Sequence, residues 1–440
     1  MKLHLENETV RRRLFKGSFG LEKESLRVNR NTGYCAQSPH PFNNPHIVQD
    51  FAENQTEINT PVCSSWKEAR DFAEKLTRDM LVELDTRNET LWPFSNPCPI
   101  ADEQQIPMWQ AGSEQARAYR KYLARRYGRY KMVYSGIHYN FSFDEELLHE
   151  EYDLCKFEGS FREFRDRFYL DLTQKIVWYG WIIDVLCNAS PIYDGSLLAE
   201  DDLGRTEFAG MSSMRNSALG YWNFFAPRLD YSSMTAYTDS IESYVEEGLL
   251  KAPRELYYPV RLKPKGNYSM EALNNEGADH IELRMIDLNP YEFSGISEDD
   301  AWFCHLLMVF LACMDDIRLS WKDQIYAVQN FKNASKYALD QNEILFDSDY
   351  SQSVDEAALS LLEDMQTFFE PFDPKASAMI GRQMRKITRP STCRLASRIR
   401  QDFPDFGLDG LMQALALQQK ACLSDCSEKK PVKMNGSISL

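Results

Sequence analysis

The 440-residue sequence has no apolar run long enough to cross a bilayer, which takes about 20 residues. Its greasiest stretch, AWFCHLLMVFLACM at 301–314, predicts a buried helix instead, with Ser297 and Asp300 placed to cap its start. The first residues, MKLHLENETVRRRLF, lack the apolar centre of an export signal. Basic residues are in deficit: 50 Lys and Arg against 66 Asp and Glu leave a formal charge of −16. A nucleic-acid backbone or an anionic membrane is therefore excluded as a general partner. The ten cysteines show no paired CxxC and no Cys/His zinc spacing. They read as mostly reduced thiols of a cytoplasmic protein, and no disulfide pairing follows from them. Also missing are GxxxxGK[ST], GxGxxG and HExxH, which removes the P-loop, the dinucleotide fold and the helical zinc protease as default readings. No repeat or Gly/Ser linker interrupts residues 11–420. The expectation is one interwoven domain over 1–421, with a polar tail over 422–440.

What is present begins with 43% apolar residues and 12% aromatics, enough for a sizeable core. Helical spacing is clear in SSWKEARDFAEKLTRDMLVEL, where Trp66, Ala69, Phe72, Ala73, Leu76 and Met80 form a stripe behind a Ser65–Glu68 capping pattern. A second helix is predicted from about Phe161 to Cys187, and others at 114–127, 234–249, 299–315 and 354–369. Strand-like alternation marks GLEKESLRV, QDFAENQTEINTP, YSGIHYNFSF and DHIELRMIDL. Strands and helices do not follow a βαβ rhythm, so the predicted class is α+β with a mostly antiparallel sheet.

Those four strands carry the chemistry. Glu22 and Glu24 share one face, with Lys23 opposite. His138, Asn140 and Ser142 oppose the bulky Ile137, Tyr139, Phe141 and Phe143, and Glu282 and Arg284 oppose Ile281, Leu283 and Met285. Asp50 and Glu57 join such a face only if the chain bends or bulges between them. Each segment alone is compatible with a wet charged surface. Side by side, their charges could not be buried unpaired, and Mg²⁺ or Mn²⁺ with phosphates is the natural complement of oxygen ligands, one imidazole and an Arg. A second set could hold substrate carboxylates: Tyr119, Arg120, Arg215, Tyr221, Tyr257, Arg261 and Lys263. Arg125, Arg126 and Arg129 read as ordinary helix-surface side chains.

Taken in order, GLEKESLRV, DFAENQTEINTP, LWPFSNPCPI, YSGIHYNFSF, SMRNSALGYWN, ELYYPVRLK and HIELRMIDLNPYEFSGI resemble the bacterial glutamate–cysteine ligase (γ-glutamylcysteine synthetase) family in its stand-alone form. The resemblance implies a glutamine-synthetase-like curved sheet forming a funnel, surrounded by helices. It also implies ATP-dependent joining of the L-glutamate γ-carboxylate to the amine of L-cysteine through a γ-glutamyl phosphate. By motif position, Glu22, Glu24, Asp50, Glu57, His138 and Glu282 would hold Mg²⁺ or Mn²⁺, and Glu282 and Arg284 would be catalytic. Asn140, Arg261, Lys263 and Arg284 would meet ATP; Phe51, Tyr119, Arg120, Arg215, Tyr221 and Tyr257 would bind amino-acid substrate. Asn59, Ala218 and Trp222 depart from the family pattern around the second and acceptor motifs. A separate glutathione synthetase is expected downstream. The rival readings are a γ-glutamyl ligase with another amine, a metal-dependent hydrolase and a non-catalytic metabolite-binding protein.

Overall fold

The computed structural model describes residues 2–199 and 202–428. Its main sheet has seven strands: β1 (Gly17–Asn29), β2 (Ile47–Gln49), β3 (Gln55–Asn59), β4 (Glu89–Leu91), β5 (Gly136–Phe143), β6 (Val260–Lys263) and β7 (His280–Asp287). The order is β2-β3-β1-β5-β7-β6, with β4 paired on β1, and the pairs are antiparallel. This is the expected α+β class with an antiparallel sheet. Strands distant in sequence become neighbours, because β1 runs between β3 and β5.

Period-two alternation divides the sheet into two faces. Phe19, Leu21, Ile137, Tyr139, Phe141, Ile281 and Leu283 enter one large core with Phe168, Leu172 and Ile176 of α1 (Phe161–Tyr179) and Phe303 and Leu307 of α2 (Glu298–Ala312). Burial of each such side chain contributes about 1.5–3 kcal/mol, so this face fixes which residues point the other way. Lys23 lies opposite Glu22 and Glu24 as expected, but it is buried: its Nζ donates to Thr77 Oγ1 at 3.0 Å and the Phe293 carbonyl at 2.7 Å. Burial pushes its ammonium down to about 7.

Several elements differ from their sequence reading. The helix expected over 161–187 is two, because the chain breaks at Gly180 between Tyr179 and Trp181. Ser297 caps α2 by accepting from the Asp300 N–H, while the Asp300 carboxylate turns to Gln383 and Lys386 instead of closing a capping box. Similarly, Ser65 caps its helix but the Glu68 carboxylate reaches back to Ser64. The last helix, Leu408–Glu428, crosses the start of the segment read as a tail, and residues 429–440 lie outside the described ones. No described helix is long and apolar enough to cross a membrane. The eight cysteines described are all unpaired, with the Cys35 and Cys98 sulfurs 3.5 Å apart.

Candidate active site

Strand register assembles the polar face. Glu24 lies across from Glu57, Glu22 from His138, and Glu282 from both Asn140 and Arg261. The side chains meet accordingly. His138 Nδ1 lies 2.8 Å from Glu22 Oε2 and 3.7 Å from Glu282 Oε1, and its Nε2 is 3.7 Å from Glu24 Oε1. Asn140 donates to Glu22 at 3.1 Å, while Asn140 Oδ1 has no hydrogen-bond partner among the described residues. Arg284, Lys263 and Arg261 surround Glu282 at 2.9, 3.3 and 3.6 Å. Asp50, in the bend between β2 and β3, lies near enough for its charge to act on Glu24 and Glu57; Arg120 donates to its backbone carbonyl at 2.8 Å and stacks over Trp109.

A slip in pairing shapes the far end. Ile137 pairs with Ile286 and Tyr139 with Leu283, so Arg284 and Met285 together face the single residue His138. The Arg284 carbonyl accepts from Arg215 Nη2 at 2.8 Å, and the Met285 carbonyl from Asn216 Nδ2 at 2.6 Å. Arg215 crosses directly over Gly136, where a Cβ would lie 2.5 Å from the guanidinium carbon. The Gly136 N–H donates to Glu24 at 2.9 Å.

Charge is unevenly shared. Burial opposes ionisation of Glu282, yet Arg284, Arg261 and Lys263 hold it well below the usual carboxylate range. Burial and the Glu282 charge also oppose ionisation of Glu22, but its His138 hydrogen bond and nearby charges bring it below its ordinary value. Burial, then Arg284, pushes His138 down to about 4, so its ring is neutral at neutral pH and able to act as a ligand. Glu24 is pushed up to about 8 by burial and by Asp50. Asp50 is raised by burial, and Glu57 stands well above its ordinary value through burial and the charges of Glu22, Asp50 and Glu24. The protein's own cations thus serve Glu282, leaving three neighbouring carboxyls short of positive charge. That deficit and the oxygen-rich donor set fit a hard divalent cation. Glu22, His138 and Glu282 alone bring three ligand atoms within 4.8 Å of one another.

Two cavities adjoin these residues. One, of about 650 Å³, is bordered by Gly20, Glu22, Asn140, Arg165, Lys265 and His280. The other, about 40 Å³, is lined by Arg215, Tyr221, Tyr257 and Arg284, together with Asp184 and Asn216. The Tyr221 and Tyr257 rings pack 4.1 Å apart, and Phe51 is buried in the same cluster as Tyr257. Tyr119 sits 4.0 Å beneath Arg254, which the sequence reading did not single out. Asp184, Asn216 and Gly136 were also missed; only Asp184, an acid inside the apolar WIIDVLC, carried a visible signal. Arg126 and Arg129 are structural, bonding the Leu249 carbonyl and the Glu103 and Ile106 carbonyls.

Among protein families, the one described as glutamate-cysteine ligase matches residues 3–249 and 226–334. A bifunctional glutathione biosynthesis protein of Listeria monocytogenes is 36% identical over 414 residues, covering 90% of this chain and 53% of the relative. One of Clostridium perfringens is 32% identical over 406 residues, covering 88% and 52%. The chain spans about half the length of the curated relatives it matches. A bifunctional glutathione synthetase structure from Pasteurella multocida superposes with a TM-score of 0.79 at 28% identity, covering 95% of this chain and 54% of that one. A glutamate–cysteine ligase from Francisella tularensis, solved with AMP, gives 0.79 at 24% identity with 96% of both chains covered, a likeness of fold.

Proposed function

The chain belongs to the glutamate–cysteine ligase family, and from that premise we propose that it joins the γ-carboxylate of L-glutamate to the amine of L-cysteine, consuming ATP and releasing ADP and phosphate. The observation that carries this reading is the row of half-buried Glu22, Glu24, Asp50 and Glu57 and buried His138 and Glu282 beside Arg284, with too little positive charge of its own. The large cavity would take ATP, its phosphates directed toward Asn140, Lys263 and Arg261. The small one would take the acceptor amino acid, with Arg215 set to receive its carboxylate and Tyr221 and Tyr257 in its wall, while Phe51, Tyr119 and Arg120 do not line it.

The six ligand residues would hold Mg²⁺ (Mn²⁺ in its place), which when bound supplies positive charge to phosphate oxygens and draws electrons from the transferring phosphorus. The chain's own residues do the rest. Glu282, fixed by three cations, keeps Arg284 aimed at the row, so that the guanidinium can offset charge gathering on the γ-phosphoryl oxygens. Phosphorylation turns a carboxylate, a poor electrophile, into an acyl phosphate with a good leaving group. Attack by the neutral acceptor amine then forms the amide and releases phosphate. The aromatic walls exclude water, which would otherwise hydrolyse the acyl phosphate.

The test is to supply the purified protein with ATP, Mg²⁺ and glutamate, adding cysteine, serine or 2-aminobutyrate in separate reactions, and to follow ADP and product mass. γ-Glutamylcysteine formed in step with ADP is expected. ADP release that ignores glutamate would favour a hydrolase, and no turnover with any amine would remove the ligase reading.

A further inference from the structure

We infer that Asn216 is a positioning residue for the Arg284 guanidinium, acting through the bulge in β7, and that Asp184 sets the direction of its amide. The inference rests on reading the carboxylate row as a ligase site. Arg284 and Met285 are the two residues of the bulge, so the peptide groups around them determine where the Arg284 side chain leaves the strand. Two successive side chains of one segment hold their two successive carbonyls: Arg215 the first at 2.8 Å, Asn216 the second at 2.6 Å. The amide cannot be reversed without loss. Its nitrogen faces the Met285 carbonyl and Asp184 Oδ1 at 3.1 Å, both acceptors, and its oxygen accepts from Arg215 Nη1 at 3.2 Å. Asp184 is fully buried on the short helix Trp181–Cys187, and its other oxygen has no hydrogen-bond partner among the described residues. Burial and then Asp287 push the Asp184 carboxyl well above its ordinary range. A small apolar side chain at 216 would leave a buried carbonyl unpaired at the bulge and free Arg284 to swing.

The same contacts make Arg215 part of the clamp and of the small cavity at once. An acceptor carboxylate engaging Arg215 would therefore pull on the backbone that aims Arg284, linking acceptor binding to the phosphoryl-transfer end of the site.

Asn216→Leu, Asp184→Leu and the double variant test this, with folding checked by thermal denaturation. Expected are a fall in kcat of about tenfold or more in each, ATP and glutamate KM values within about twofold of the unmodified protein, and a double variant no slower than the slower single one. A purely structural role would move the KM values and the melting temperature together with kcat. A folded Asn216→Leu with kcat within about twofold of the unmodified protein, or multiplying losses, would overturn the inference. If Asn216→Leu does not fold, Asn216→Ala, which avoids misplaced methyl groups, is read by the same criteria. Absence of glutamate-dependent ADP release in the unmodified protein would instead overturn the ligase reading, and this inference with it.

Discussion

Gly136 shows how a single residue ties the two ends of the site together. Its N–H holds Glu24, and its missing side chain leaves the space through which Arg215 passes to the bulge. A Cβ there would lie 2.5 Å from the Arg215 guanidinium carbon, so in Gly136→Ala the Arg215 guanidinium must shift from its place at the bulge. The expected outcome is a melting temperature within a few degrees of the unmodified protein and a KM for the acceptor amino acid raised by about tenfold, checked by varying the acceptor at saturating ATP and glutamate. At this scale the sequence was legible where alternation rules. Glu22, Glu24, His138, Glu282 and Arg284 were assigned to polar faces by parity alone, and they meet within a few ångströms. It was illegible where a small residue acts by leaving room, because Gly136 carries no chemistry to notice.

The strand is the scale at which separate charges become one charged surface. Parity gives a face, but only register gives a neighbour, and the pairing of Glu24 with Glu57 or Glu22 with His138 could not be read from strands some 30 to 110 residues apart. The bulge in β7 was likewise invisible, as was the strand Val260–Lys263, four residues long and read only as a source of Arg and Lys. The turn from Asp50 to Glu57 was foreseen as a condition and is met by β2 and β3. The shared face has a measurable consequence. The Glu24 carboxyl, pushed up to about 8, keeps its proton in the folded chain where the unfolded chain has lost it. The stability it lends is therefore whole at low pH and declines as pH rises toward 8; raised Asp50 and Glu57 act with the same sign. A divalent cation must displace those protons, so the rise in melting temperature on adding Mg²⁺ should grow between about pH 6 and pH 8. Taking the difference with and without Mg²⁺ largely cancels Lys23, whose lowered value works the other way over part of that range. A Mg²⁺ effect flat across this range, measured by calorimetry, would count against the row as a cation site.

Across the whole molecule, net charge and site charge work at different levels. The chain carries −16 overall, yet gathers Arg215, Arg261, Lys263 and Arg284 where anionic substrates would meet. The family resemblance was legible because its motifs fall in order on the strands and loops that line the row, and the family match spans them. The C-terminal helices were less so. Pro374–Thr388 and Leu395–Asp402 are amphipathic but carry none of the site's chemistry, and their packing depends on partners far away in sequence. At the centre of the site is Glu282, a fully buried acid ringed by three cations and facing His138. The most direct measurement compares glutamate-dependent ADP formation by the unmodified protein and by Glu282→Gln, with melting temperatures taken alongside. The expected result is a loss of about a hundredfold or more in a variant that still folds, because an anionic ligand is gone while its shape is kept. Near-normal turnover in folded Glu282→Gln would contradict it.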